Sequence, residues 1–368
     1  SMIAIMAVYP WNKIVTTTSP FVQVFGAIGI PAAAGILNFV VLTAAMSATN
    51  SAIFSTSRSL YALSRGNNAP KRFGKLSKKA VPNNALTFSS LILFIVVILN
   101  YNDGENCLNV AKSALNDCNI DTAIVDDNCS PDGSYSLLKQ QQSENLIVLQ
   151  SDKNGGFAYG HNVGIRFAIS QYNPEVLLTI NSDVIVKNNV LDQLIEFIKK
   201  NERYGLVSCA IREKDGTLSP LSSWSFPSYS SLCLSCSWIY RKVKSEEKIE
   251  PLINTMSEVV EVDAIRGSLM CFNGKALRTV NGFDEHTFLY YEENIMGKKM
   301  KAAGYKIAFL PQIEYFHNHK QSAGVRYADI RPSLESAYYY ATMYGNIKGI
   351  KKAILKVCTW VGIKEQDI

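Results

Sequence analysis

The chain has 368 residues, 47% of them hydrophobic, and a formal net charge of +6, which is length for two or three domains and a sizeable core. Its only C-x-x-C, Cys233 and Cys236, lacks a second pair or histidines at ligand spacing, which excludes a structural zinc site and leaves the eight scattered cysteines as reduced thiols. The basic excess gathers in "RGNNAPKRFGKLSKK" (65–79) and "NIKGIKKAILKVCTWVGIK" (346–364), beside apolar segments, a pattern that fits an anionic membrane face and argues against nucleic acid as a partner.

The start, "SMIAIMAVYPWNK", has no basic region before a short apolar core, so no cleavable signal peptide is expected. No charge occurs between Lys13 and Arg58, and "PFVQVFGAIGIPAAAGILNFVVLTAAMSA" (20–48) is long enough to cross roughly 30 Å of hydrocarbon as a helix. Its Gly, Ala, Ser and Thr content suits close packing between membrane helices.

From Val96 onward short apolar runs alternate with amphipathic stretches: "FIVVILNYN", "NCLNVAKSALN", "DTAIVDDN", "NLIVLQSD", "AYGHNVGIRFAISQ", "EVLLTINSD", "NVLDQLIEFIKK". Such alternation predicts an α/β fold, a mostly parallel sheet covered by helices on both faces. Ligands in such sheets bind beyond the carboxyl ends of the strands. Polar clusters fall at those ends: Asn100-Tyr101-Asn102, Asp126-Asp127-Asn128, Ser151 to Asn154, and Asn181-Ser182-Asp183. The last segment, 346–364, places Ile347, Ile350, Ile354, Val357 and Val361 at helical spacing with Lys348, Lys351, Lys352 and Lys356 largely off that stripe, which fits a helix at a membrane interface or one docked on the protein's own core.

The wording carries two resemblances. Residues 1–90, which contain "SPFVQVFGAIGIPAAAGILNFVVLTAAMSATNSAIFSTSRSLYALSRGNNAPKRFG", resemble a fragment of the amino acid permeases of the amino acid–polyamine–organocation superfamily, one long membrane helix and a basic cytoplasmic loop. One or two spans cannot build the binding site of such transporters, so no transport is expected. Residues from about 96 to 345 resemble the family-2 glycosyltransferases with the GT-A fold, a Rossmann-like α/β architecture, in the bacterial rhamnosyltransferase-like branch. Five ordered motifs carry this: "VVILNYND", "IVDDNCSPDGS", "NGGFAYGHNVGI", "LLTINSDVIV" and "VNGFDEHTFLYYEENIMGKKMKAAGYKIAFLP" with a histidine after it.

The second resemblance implies an inverting transfer of a sugar from a nucleotide diphosphate to a glycan or lipid-linked acceptor. A departing diphosphate needs charge neutralisation, usually by a divalent metal, Mg or Mn, held by carboxylates. "NSD" resembles the family's D-x-D motif, so Asp183 is the expected metal ligand, His317 a second one, with His319 as its nearby rival. The nucleotide sugar, UDP- or dTDP-linked, is expected at Asn100, Tyr101, Asn102, Asp127, Asn154, Gly156, Asn162 and Asn181, with Asp127 accepting from the N3–H of uracil or thymine. Ser130 is a possible helix N-cap, and His161 more incidental. Glu293 is the expected base and Glu292 its support, with the reverse assignment open. Ile295 stands where the common family pattern has an aspartate. Arg266, Gly267 and Asp284 fall where the family approaches donor sugar and acceptor, Arg266 being equally suited to a structural ion pair and Asp284 to bracing a loop.

The domains expected are therefore 1–90, a permease-like fragment with the basic loop 65–79; 91–330, the GT-A domain; and 331–368, C-terminal helices. Residues 94–99, "FIVVIL", read as the first strand of the sheet, since the motifs continue without a gap from Asn100. The basic loop then places the enzyme on the cytoplasmic side of a bacterial membrane. The rival readings are a transporter fragment with an inert appendage and a chimeric reading frame whose helix has no partner.

Overall fold

A computed structural model describes residues 57–59, 61–66, 71–77, 81–82, 94–116, 120–186, 189–237, 240, 258–318 and 330–365. The expected membrane segment 20–48 and His319 lie outside these residues, as do residues 67–70 and 78–79 of the loop 65–79. Among the described residues no helix is long and apolar enough to cross a membrane. The chain divides into two units, Ser1–Leu91 and Ile92–Ile368. In the first, a short 3-10 turn spans Lys71–Gly74, and the Gly66 N–H donates to the Ala62 carbonyl at 2.9 Å.

The second unit is built on β1 (Phe94–Asn100), β2 (Thr122–Asp127), β3 (Leu146–Gln150), β4 (Val176–Asn181), β5 (Val184–Ile185), β6 (Tyr204–Glu213), β7 (Ser223–Trp224), β8 (Val260–Val262), β9 (Ala264–Ile265), β10 (Leu269–Asn273) and β11 (Lys306–His317). Its helices are α1 (Gly104–Leu115), α2 (Ser134–Gln140), α3 (Phe157–Tyr172), α4 (Val190–Lys200), α5 (Tyr229–Ser235), α6 (Gly274–Val280), α7 (Glu292–Ala302), α8 (Arg331–Met343) and α9 (Gly349–Lys364). The main sheet runs β3-β2-β1-β4-β10-β6-β11-β5, with β8 also paired to β11, while β7 and β9 form a separate pair.

The apolar run 94–99 is a strand, paired in parallel with β2 on one side and β4 on the other. Its residues alternate between two cores. Phe94, Val96 and Ile98 pack with α1, α2 and α4, whereas Ile95 and Val97 pack with α3, α6 and α7. A strand buried on both faces reads as a continuous apolar run, so the same letters fit a membrane helix by periodicity alone. Each fully buried aliphatic side chain contributes about 1.5–3 kcal/mol. Helix α3 approaches β1 closely because Gly164 faces it: a Cβ there would lie 2.4 Å from a methyl carbon of Val97.

The sheet is mostly parallel, as expected, with β1, β2, β3, β4, β6 and β11 running one way, and it is mixed because β10, β5 and β8 run against them. β1, β2, β3 and β4 are mutually parallel, but β10 runs antiparallel to both β4 and β6. β11 is parallel to β6 and antiparallel to β5 and β8. Antiparallel β10 presents its beginning, next to Gly267 and Ser268, beside the end of β4. A third apolar cluster joins Leu232 of α5, Ile295 of α7, Tyr340 of α8 and Leu355 of α9.

Candidate active site

Two separate pairings bring the predicted chemistry to one edge of the sheet. The first lies at the end of β4. The Asn181 N–H donates to the Ser268 carbonyl at 2.9 Å, and the Asp183 carbonyl accepts from the Asn318 N–H at 2.8 Å. Because His317 pairs with Val184 across β5 and β11, its imidazole is delivered to Asp183, Nε2 lying 3.2 Å from Oδ1. His317 is buried. A carboxylate and an imidazole that converge on one point fit a small divalent cation that takes its remaining ligands from phosphate oxygens and water. Among the described residues no group of three or more His, Cys, Asp or Glu side chains gathers as a metal site.

The second pairing fixes the acidic pair. Gly267 donates its N–H to Glu293 Oε1 at 3.3 Å, one residue before the Ser268 that binds Asn181. Glu292 is buried, and its Oε2 has no hydrogen-bond partner. Burial raises the pKa of both carboxyls; for Glu292 the neighbouring Glu293 charge raises it further, while Arg266 pulls both down. The turn that presents them is strained. Tyr290 and Tyr291 have φ of 72° and 67°, a conformation that bulky residues seldom adopt and that costs of order 1–3 kcal/mol each. The Tyr291 ring packs on Tyr340 with centroids 5.5 Å apart, and the Phe157 N–H holds the Phe288 carbonyl at 2.9 Å. Gly156, with φ of 87°, permits that contact, since a Cβ there would lie 2.1 Å from the Phe288 oxygen.

The nucleotide-side residues are partly assembled. Asn100 and Asp127 meet at the ends of β1 and β2, the Asn100 amide donating to Asp127 Oδ1 at 2.6 Å, while the Ser130 N–H donates to Oδ2 at 3.0 Å. Both side chains are fully buried. Asp127 thus holds the turn that follows β2 with both of its carboxylate oxygens. Ser130 is not an N-cap: its hydroxyl accepts from the Asn102 N–H at 3.0 Å, and the cap of α2 is Gly133. Tyr101 and Asn102 border the clasp, and Asn102 Oδ1 is buried without a hydrogen-bond partner. The Asn162 amide donates to the Phe283 carbonyl (2.9 Å) and Glu285 Oε1 (2.8 Å) and accepts from the Phe283 N–H (2.9 Å), so it ties α3 to the Gly282–Glu285 loop.

Asp284 braces that loop against α8. Burial pushes its pKa up, but hydrogen bonds from Tyr344, His286 and Tyr339 outweigh this and hold it at about 2. The sequence reading left Asn128 without a role. It donates to Asn154 Oδ1 at 2.9 Å and to the Gly156 carbonyl at 3.2 Å, and so shapes the Asn154–Gly156 loop. The run Asp126-Asp127-Asn128 was the available signal, because Asn at a strand end commonly binds nearby backbone. His161 is fully buried against Phe157 with its ring facing Asn181, and burial lowers its pKa to about 3.

Asp126 points to the other core, with Oδ2 accepting from the Ser151 hydroxyl at 2.7 Å. Burial raises its pKa from 3.8 to about 7, against the Ser151 hydrogen bond and helped by Asp127. Between those values the folded chain keeps a proton that the unfolded chain has lost. The contribution is fully present below the unfolded pKa and is lost as pH rises through the folded one, by a few kcal/mol (~3 pKa units at ~1.4 kcal/mol each). Asp126→Asn is expected to be more resistant to denaturant than the parent at pH 8 and nearly equal at pH 4. Identical pH profiles of the two midpoints would refute this.

The comparisons agree with a chain of two origins. Residues 1–116 match the model of the family "Amino acid permease" and residues 95–270 that of "Glycosyl transferase family 2". Over 120 residues the chain is 49% identical to the uncharacterized transporter YdgF of Bacillus subtilis (strain 168), covering 33% of this chain and 26% of that protein. Over 101 residues it is 52% identical to the D-serine/D-alanine/glycine transporter of Escherichia coli (strain K12), covering 27% of this chain and 22% of that one. The chain thus spans about a quarter of the length of the curated relatives it matches. Among solved structures, the mannosyltransferase of Pyrobaculum calidifontis in complex with GDP-Man and Mn2+ is 13% identical, with a TM-score of 0.47 over 87% of this chain and 83% of that chain. In sequence, then, the first part of the chain is similar to amino acid permeases and the part after it to family-2 glycosyl transferases, the two matches overlapping over residues 95–116.

Proposed function

We propose that residues 92–368 act as an inverting glycosyltransferase that moves a sugar from a nucleotide diphosphate to a glycan or lipid-linked acceptor. The observation that carries this reading is a short relay of backbone contacts. Glu293 rests on Gly267, Ser268 on Asn181, and two residues beyond Asn181 stands Asp183 with His317 beside it. This nearness supports the reading of Glu293 as proton acceptor and of Asp183 with His317 as the place of the diphosphate.

Glu293 takes the proton of the acceptor hydroxyl as that oxygen attacks the anomeric carbon. Burial raises the pKa of both carboxyls, and Glu292 is raised further by the Glu293 charge, so Glu293 is the member assigned to take the proton. A divalent ion held by Asp183 and His317, when bound, neutralises charge on the leaving diphosphate. Tyr101, Asn102 and Asn154 border the nucleoside, with the buried Asn100–Asp127 clasp behind them. Asn181, next to Arg266 and Gly267, faces the donor sugar, and the Asp284 loop faces the acceptor. A UDP- or dTDP-linked donor and a place on the cytoplasmic side of a bacterial membrane rest on the resemblances alone. In this reading residues 1–90 serve as an anchor and take no part in transport.

The test is a hydrolysis screen of the detergent-solubilised full chain against UDP-, dTDP- and GDP-sugars with Mg or Mn. Release of free nucleotide from at least one UDP or dTDP sugar is expected. Neither binding nor release with any donor in the presence of either metal would sink the assignment.

A further inference from the structure

Helix α9 is docked by the face opposite to the one its composition favours. Leu355, Thr359 and Gly362 are its buried residues. Gly362 lies so close to α5 that a Cβ would stand 2.4 Å from the Cys236 carbonyl oxygen, and the Tyr229 hydroxyl donates to the Lys351 carbonyl at 3.2 Å. The larger apolar side chains face outward. Ile350 is 77% exposed, Val357 60% and Trp360 61%, with Ile354 and Val361 on the same stripe. Ile347, expected on that stripe, is instead buried in the cluster with Tyr340 and Leu355, so it is the anchor of the helix and not part of its open face. An ordinary surface helix buries its apolar stripe and exposes its polar one; here a small-residue face is buried and an apolar one is left open.

The charge around this stripe selects what covers it. Gly349–Lys364 contains four lysines and no acid. Lys351 and Lys356 flank the stripe at neighbouring helical positions, and Lys348 and Lys352 add to the same end. Two copies of this surface brought face to face would set lysine against lysine. An anionic bilayer supplies both an apolar phase for Ile354, Val357 and Trp360 and negative charge for the lysines. The same chain carries an uncharged run between Lys13 and Arg58, so a bilayer is the surface that it would meet. We infer that the exposed face of α9 lies in the headgroup–acyl boundary of an anionic membrane, as a second membrane contact independent of the N-terminal segment and of the proposed chemistry.

Trp360 reports on this directly. The full chain and its Trp360→Phe variant are reconstituted into vesicles whose lipids carry brominated acyl chains, either zwitterionic or with a third of phosphatidylglycerol. The difference in tryptophan emission between the two proteins isolates Trp360, since Trp11, Trp224 and Trp238 are common to both. The expected result is that this difference is strongly quenched in anionic vesicles, and that the anionic preference falls roughly tenfold or more when Lys351, Lys352 and Lys356 are all changed to Gln. High salt should weaken it in the same direction. Unquenched Trp360 emission in anionic vesicles, or equal quenching in zwitterionic ones, overturns the inference. So does a concentration-dependent blue shift of Trp360 in detergent without lipid, which would show that a second copy covers the stripe. Ile354→Glu with Val357→Glu, both at exposed positions, should abolish the quenching without altering the circular dichroism of the chain; retained quenching there also overturns it.

Discussion

Glu293→Gln is expected to lower sugar transfer by about 10²-fold or more, the scale of a lost general base, while donor binding changes little. The amide keeps the shape of the side chain and an oxygen for the Gly267 N–H, which now lies 3.3 Å from Oε1, so the loop that joins Glu293 to the end of β4 stays in place. What disappears is the capacity to take a proton. Glu292 serves as the control. It is buried, one of its oxygens lacks a partner, and burial together with the Glu293 charge raises its pKa well above the ordinary 4.5. Glutamine is close to a neutral glutamic acid in shape and charge, so Glu292→Gln should leave turnover within a few-fold of the parent. Burial also raises the pKa of Glu293. A base must be unprotonated to act, so the rate should climb with pH through a step displaced above the usual carboxylate range, and that step should vanish in Glu293→Gln. An inactive Glu292→Gln beside an active Glu293→Gln would reverse the roles.

The sequence disclosed what depends on local pattern. "FIVVIL" is a strand because both of its faces are covered, and the polar words at the ends of β1, β2 and β4 do cluster at one edge. The direction of β10 was not readable, because a strand paired antiparallel to β4 carries the same apolar letters as a parallel one; only the long-range pairing of Leu269 with Ile180 decides it. The internal hydrogen bonds of Asp127 and Asn162 were not readable for a related reason. A carboxylate or amide at a motif position shows its chemistry in the letters, but not whether its atoms are already occupied by Asn100, Ser130 or Phe283. The left-handed Tyr290 and Tyr291 left no trace either, since nothing in "LYYEEN" marks a backbone that glycine or asparagine would adopt more readily. The apolar stripe of α9 was visible as periodicity, while the choice of which face docks rests on small residues, Thr359 and Gly362, that hydrophobic pattern ignores.

Asp183→Ala is expected to remove the metal dependence of donor binding and to reduce turnover by at least about 10²-fold, the scale of a lost electrostatic contact at a reacting centre. The fold should survive, because the turn that carries Asp183 is held by its backbone: its carbonyl accepts from the Asn318 N–H, and the next residue, Val184, pairs with His317. Asp183→Asn separates charge from shape. An amide fills the same space beside His317, 3.2 Å away from the present carboxylate, but neutralises no cation, so it should fail nearly as badly as alanine. With two protein donors converging at this point among the described residues, affinity for Mn should be weak in the absence of nucleotide and rise when a nucleoside diphosphate is added. Calorimetric titration of Mn into the parent and the two variants, with and without UDP, reads this directly. A parent that binds Mn equally tightly with and without nucleotide would show that the ion sits elsewhere. Variants whose donor affinity and turnover stay metal-dependent would show that Asp183 is not its ligand.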